Sequence, residues 1–248
     1  MSGSNIYFAS DLHLGIPSRE ASLERERKFV SWLEMASKDA KEVHLMGDIF
    51  DFWFEYKHAI PRGHIRLMGK IAELTDKGIK VYWYYGNHDM WIFDYIPQEL
   101  GVEMVPNELV KEYGGKRFFL HHGDGLGPGD KGYKVLKQVF RSRLCQWLFA
   151  RLHPNFGIGV ANYFSKTSRN AEQDYKKGFQ GEENEWLLTF CKDKLKEEHF
   201  DYLIFGHRHL PLDIAIDQSR YVNLGDWIHH FTYAVFDGQQ LELKKFEQ

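Results

Sequence analysis

The chain has 248 residues, 43% of them hydrophobic and 16% aromatic, with a net charge of −3; this is enough apolar material for one large buried core or two small ones and excludes a disordered polypeptide. Its two cysteines, Cys145 and Cys191, stand far apart, which excludes a disulfide framework and a cysteine-built zinc site. The N-terminal MSGSNIYFAS has no basic segment leading into an apolar core, and no apolar run approaches the roughly 18 residues of a membrane span, so a soluble or peripheral protein of a reducing cytoplasm is expected.

Along the chain, short β-rich runs alternate with helical periodicity. NIYFAS (5–10) reads as a first strand, EVHLMG (42–47) as a second and IKVYWYY (79–85) as a third. Between them Leu23, Arg27, Val30, Leu33 and Glu34 mark one helix, and Ile65, Met68, Ile71, Ala72 and Leu74 a second that stops at Asp76-Lys77-Gly78. RFFLHH (117–122) and YLIFG (202–206) are later strands, with a helix at 181–198 between them. YVNLGD and a hairpin turning at Asp237-Gly238 close the chain. The pattern predicts a single α/β domain over 1–248 that carries a helical insertion at 129–178. In that insertion Tyr133, Leu136, Phe140, Leu144, Trp147 and Leu148 share one face of a helix running from 133 to about 152, and Lys134, Lys137 and Arg141 flank it. Residues 131–170 hold eight cations and no anion, so the segment calls for an anionic partner.

Each strand ends in polar residues of one chemical kind: Asp11-Leu12-His13, Gly47-Asp48, Gly86-Asn87-His88-Asp89, His121-His122-Gly123-Asp124 and Gly206-His207-Arg208-His209. Taken singly, each exit has an ordinary explanation. Asp11 and Asp48 cap helices well, Asn87 suits a turn, and two loop histidines need no ligand. Five such exits in chain order point instead to one pocket at the carboxyl ends of an open sheet. Oxygen and imidazole donors without thiolate suit manganese, iron or zinc, and a pair of such ions clamps a phosphoryl group and acidifies water.

The series DLH, GD, GNHD, HGD and GHRH resembles the signature of the calcineurin-like metallophosphoesterase superfamily, and the resemblance spans residues 11–209. It implies a four-layer αββα sandwich with two divalent ions, manganese before iron or zinc. Asp11, His13, Asp48 and His209 would hold one, and Asp48, Asn87, His122 and His207 the other. His88, oriented by Asp89, would be the catalytic imidazole at the phosphate.

Within the superfamily the chain is similar to the bacterial UDP-2,3-diacylglucosamine hydrolases of lipid A synthesis, on GDIFDFWF (47–54), GDKGY (129–133) and ANYFSKTSRNAE. That resemblance implies a lipid-linked nucleotide sugar as substrate. Asn87, His88, Tyr133, Lys166 and Arg169 would bind it, with peripheral contact at the cytoplasmic face of the inner membrane and no nucleic-acid partner. A phosphoesterase for soluble nucleotides or phosphodiesters, and a metal-binding scaffold, are the alternative readings. The aromatic FWF at 52–54 reads as core or as part of a substrate pocket.

Overall fold

The computed structural model describes residues 4–127, 131–171, 178–179 and 181–247. Two mixed sheets lie face to face. In the first, β1 (Asn5–Ala9), β2 (Ala40–Leu45), β3 (Lys80–Tyr84) and β4 (Glu103–Val105) run parallel, and β10 (Thr232–Phe236) and β11 (Leu241–Lys245) add an antiparallel edge beside β1. In the second, β6 (Lys116–Leu120), β7 (Tyr202–Phe205) and β9 (Ser219–Leu224) are parallel neighbours. They are flanked by antiparallel β5 (Leu109–Tyr113) and β8 (Pro211–Ile216).

Side chains alternate along each strand, and the alternation sets the layers. Ile6 and Phe8 point between the sheets and meet Phe118, Leu120, Ile204 and Val222. Tyr7 and Ala9 point outward, into a core with Phe29, Trp32 and Leu33 of α1 (Arg19–Ala36) and Ile71 and Leu74 of α2 (Ile65–Asp76). On the far side Phe119, Leu203 and Phe205 pack under Leu187, Leu188 and Cys191 of α7 (Trp186–Glu197). This is the expected α-β-β-α order, and the carboxyl ends of β1, β2, β3, β6 and β7 fall at one end of it. The short helix α3 (Tyr95–Leu100) and the strands β4, β5 and β8 were not among the expected elements.

Between β6 and α7 stand α4 (Lys131–Arg141), α5 (Arg143–Phe149) and α6 (Pro154–Ala171). The single helix expected from 133 to 152 is broken at Ser142, whose backbone is extended and whose hydroxyl accepts from the Cys145 amide to cap α5. Phe140 and Phe149 pack on Phe52, Phe54 and Trp91, and Trp91 Nε1 donates to the Phe140 carbonyl at 2.7 Å. FWF is therefore mostly core: Trp53 belongs to the layer under α1 and α2, Phe54 packs against Phe149 of α5, and Phe52 is half-buried beside them. Leu144 and Trp147 stay 67% and 54% exposed. Among the described residues, no helix is long and apolar enough to cross a membrane.

Candidate metal centre

Asp11 and His13 follow β1, Asp48 follows β2, Asn87 follows β3, His122 follows β6, and His207 and His209 follow β7. Ligand-type atoms of Asp11, His13, Asp48 and His209 all lie within 4.8 Å of one another, and so do those of Asp48, His122 and His207. Asp48 belongs to both sets. Asn87 Oδ1 joins the second, 3.2 Å from His122 Nε2 and 2.9 Å from His207 Nδ1. The seven residues expected from sequence thus meet as two groups that share one carboxylate.

The backbone bends hard to achieve this. Asp11, His13, Asp48, His207 and His209 all sit at positive φ, between 44° and 66°, in the left-handed region that costs a residue with a Cβ about 1–3 kcal/mol. Close approach also requires glycine: a Cβ on Gly206 would stand 2.5 Å from Asp11 Oδ2, and one on Gly86 would collide with the Asp48 carboxylate and amide. Arg25, buried on α1, donates to the carbonyls of Leu12, His13 and Ile16 and so braces the first loop.

The imidazoles are aimed from outside. His122 Nδ1 lies 2.7 Å from the Met46 carbonyl, which can only accept, so Nδ1 carries the proton and Nε2 faces inward. His13 Nδ1 is 3.4 Å from Asp51 Oδ1 and His209 Nδ1 is 3.6 Å from Asp226 Oδ2, longer contacts that turn the same ring nitrogen toward a carboxylate. As a result His13 Nε2 and His209 Nε2 face each other at 3.1 Å, beside Asp11 and Asp48. Two inward lone pairs and two carboxylates repel unless cations or protons stand between them. The donor set fits divalent cations, and protons occupy the same role otherwise. Burial opposes charge on His122 and His209, yet the Asp48 and Asp11 carboxylates outweigh it and lift both imidazoles to about 10. Burial likewise opposes charge on Asp48, and His122, His88 and His13 overcome it to hold that carboxyl well below the usual range.

The family model for calcineurin-like phosphoesterases matches residues 4–211. The chain belongs to this family. Over 98% of each chain it is 40% identical to the UDP-2,3-diacylglucosamine hydrolase of Porphyromonas gingivalis. It is 28% identical to the enzyme of that name from Haemophilus influenzae, over 91% of this chain and 92% of that one. An archaeal phosphodiesterase of 13% identity superposes with a TM-score of 0.51, covering 97% of this chain and 98% of the other, and shares the fold. The protein is a metal-dependent phosphoester hydrolase, its family implies two divalent ions, and the paired sets around Asp48 are the candidate sites for them.

Other expectations need correction. Asp89 does not hold His88: its buried oxygens accept from the amides of Gly86 at 2.8 Å and Ile49 at 2.9 Å, which fixes the loop instead. His88 turns Nδ1 to the Asp51 carbonyl at 3.0 Å, and its own amide donates to Asp48 Oδ1 at 2.8 Å. The basic stripe of α4 is engaged by protein. Lys137 pairs with Asp124 at 2.5 Å, Lys134 donates to the Gly127 carbonyl at 2.7 Å, and Arg141 reaches Asn107 Oδ1 at 3.1 Å. The side chains of Tyr133, Lys166 and Arg169 lie outside the described residues.

Sequence reasoning missed Asp51 and Asp226. Asp226 had a signal, because Gly225-Asp226 repeats after β9 the exit that Gly47-Asp48 makes after β2.

Proposed function

We propose that this chain hydrolyses the diphosphate of UDP-2,3-diacylglucosamine, releasing UMP and 2,3-diacylglucosamine 1-phosphate for lipid A synthesis. The observation that carries the reading is the pair of ligand sets sharing Asp48, in a chain that matches a hydrolase of that name along nearly its whole length. Asp11, His13, Asp48 and His209 hold one ion and Asp48, Asn87, His122 and His207 the other, with manganese as the proposed metal. The bound ions supply charge neutralisation at the phosphoryl group and acidify water.

The protein's own groups do the rest. The Met46 carbonyl holds Nδ1 of His122, and Asp51 and Asp226 face Nδ1 of His13 and His209, so that each presents Nε2. His88, whose amide donates to the shared Asp48 carboxylate, serves as the catalytic imidazole at the phosphate, while Asp89 keeps its loop in shape. Tyr133, Lys166 and Arg169 bind the nucleotide diphosphate. Val135, Leu136, Val139, Leu144, Trp147 and Leu148 are exposed beside Arg143 and Arg151, a composition that suits acyl chains and peripheral docking on an anionic bilayer. Such docking places the protein at the cytoplasmic face of the inner membrane.

The test is UMP release from UDP-2,3-diacylglucosamine with manganese present, beside hydrolysis of bis(p-nitrophenyl) phosphate. Turnover of the lipid substrate at a far higher kcat/KM is expected. No UMP, with the small diester still cleaved, would replace the reading by a phosphoesterase for soluble substrates.

A further inference from the structure

We infer that Ser165 is a positioning residue that, with the Asp51 partner usual in the family, fixes the tautomer and orientation of His88, so that helix α6 completes the reactive centre as well as standing over it. The inference rests on the role proposed above for His88. Its observation is a compact group of atoms drawn from three separate parts of the chain. Ser165 Oγ on α6 lies 2.9 Å from Asp51 Oδ2 and 3.0 Å from His88 Nδ1, and His88 Nδ1 lies 3.0 Å from the Asp51 main-chain oxygen. Asp51 Oδ1 is 3.9 Å from the same nitrogen.

The hydrogens in this group can be assigned by what each atom is able to do. A main-chain carbonyl only accepts, so the Nδ1 contact with Asp51 O places a proton on Nδ1. The Ser165 hydroxyl has one proton, and the nearest charged acceptor is the Asp51 carboxylate, to which it donates. Its lone pairs then face Nδ1–H, which is shared between the Asp51 carbonyl and Ser165 Oγ. Every polar contact of the His88 ring is made by Nδ1, and Nε2 is left for substrate among the described residues. Without Ser165 the ring keeps only the carbonyl, and rotation about χ2 or tautomer exchange brings the wrong nitrogen forward. Asp51 also faces His13 Nδ1 at 3.4 Å, so one carboxylate aligns a metal-binding imidazole and the catalytic one.

His13, Asp51 and His88 also bring one ligand-type atom each within 4.8 Å, which could be read as a third cation set. The shared Nδ1 proton on His88 leaves that nitrogen no lone pair to offer, so such a set would have to use Nε2.

The experiment uses full-length, metal-loaded protein with bis(p-nitrophenyl) phosphate as substrate, and compares Ser165→Ala, Asp51→Asn and His88→Ala with the double variant Ser165→Ala/His88→Ala. Ser165→Ala is expected to lower kcat about tenfold, with KM changed less than twofold and two ions per chain retained. In the His88→Ala background the same substitution should have no further effect. Histidine-selective ¹⁵N spectra of protein loaded with a diamagnetic divalent ion should show the Nδ1–H form of His88, shifting toward a tautomer mixture in Ser165→Ala. Additive losses in the double variant, a rise in KM alone, or an Nε2–H ring in the wild type would overturn the inference. So would a third bound ion that Asp51→Asn removes. If His88→Ala turns over normally, the assignment of His88 itself fails; if His88→Ala is slow and Ser165→Ala is not, only the positioning role does.

Discussion

The strand ends that carry the metal ligands and the helices α4 to α6 are opposites in how they are held. Asp11, His13, Asp48 and His122 are buried within a few ångströms of one another, Asp11 accepting from the His207 amide, Asp48 from the His88 amide and His122 paired with the Met46 carbonyl, and glycines admit the close approaches. The helices rest on an aromatic seat, Phe140 and Phe149 against Phe52, Phe54 and Trp91, with polar ties through Lys134, Lys137, Arg141 and Ser165, and leave Leu144, Trp147 and Leu148 to solvent. Chemistry that must hold charges within a few tenths of an ångström is built into the sandwich, and the surface that meets variable or greasy parts of a substrate is attached to it. The difference teaches which changes should remove the reaction and which should only redirect it.

The expected losses run from the metal ligands outward. Asp48→Ala should release metal and activity together, by more than the about 10- to 100-fold that outer-shell changes remove, because both sets lose a member; metal analysis beside turnover checks it, and a two-ion, active variant would undo the shared-carboxylate reading. His88→Ala should keep both ions and lower kcat by about 10²- to 10⁴-fold, the scale of a positioned acid-base group, seen at saturating substrate. Changes in the helices should be selective. Arg169→Ala should lower kcat/KM for the lipid nucleotide about tenfold, the worth of a charge-assisted hydrogen bond, and hardly touch bis(p-nitrophenyl) phosphate; equal losses on both would place Arg169 in the frame.

The smallest effect is on the sandwich interior. His44 lies between the sheets with Nδ1 2.9 Å from the Tyr84 hydroxyl and Nε2 3.1 Å from that of Tyr113, and burial pushes its pKa below the ordinary 6.5. Below about pH 6.5 the unfolded chain therefore takes up a proton that the folded one refuses, and stability present above that pH is lost as it falls. Burial opposes charge on neighbouring Glu42, but its contacts with His44 and Tyr113 outweigh this and hold it at about 2, which adds a second loss from about pH 4.5 downward. The melting temperature of metal-loaded protein should drop by a few degrees between pH 7 and 5.5, and His44→Phe should flatten that first decline.

Much of this was legible in sequence because the ligands fall among the first few polar residues beyond an apolar strand, a local feature. β1, β2, β3, β6 and β7 were readable for the same reason, being buried runs with clear periodicity. β5 and β8 lie at sheet edges and are largely half-buried or exposed, and β4 is three residues long, so their apolar signal is weak. Asp51, Asp226 and Ser165 were not legible in their roles, since each acts across the fold; Ser165 and Asp51 are 114 residues apart. The break at Ser142 is a cap within an apolar face that sequence periodicity runs straight through.

The left-handed backbone at Asp11, His13, Asp48, His207 and His209 bears on the order in which the protein is made. A chain relaxes such a conformation unless its surroundings enforce it, and here the enforcement comes from β-pairing, from Arg25 and from tight glycine contacts, all supplied by the polypeptide. Much of the pocket's shape is therefore supplied by the polypeptide itself. A chelator should then strip the protein without unravelling it, and re-addition of metal should restore turnover at the speed of ion capture, with no refolding delay.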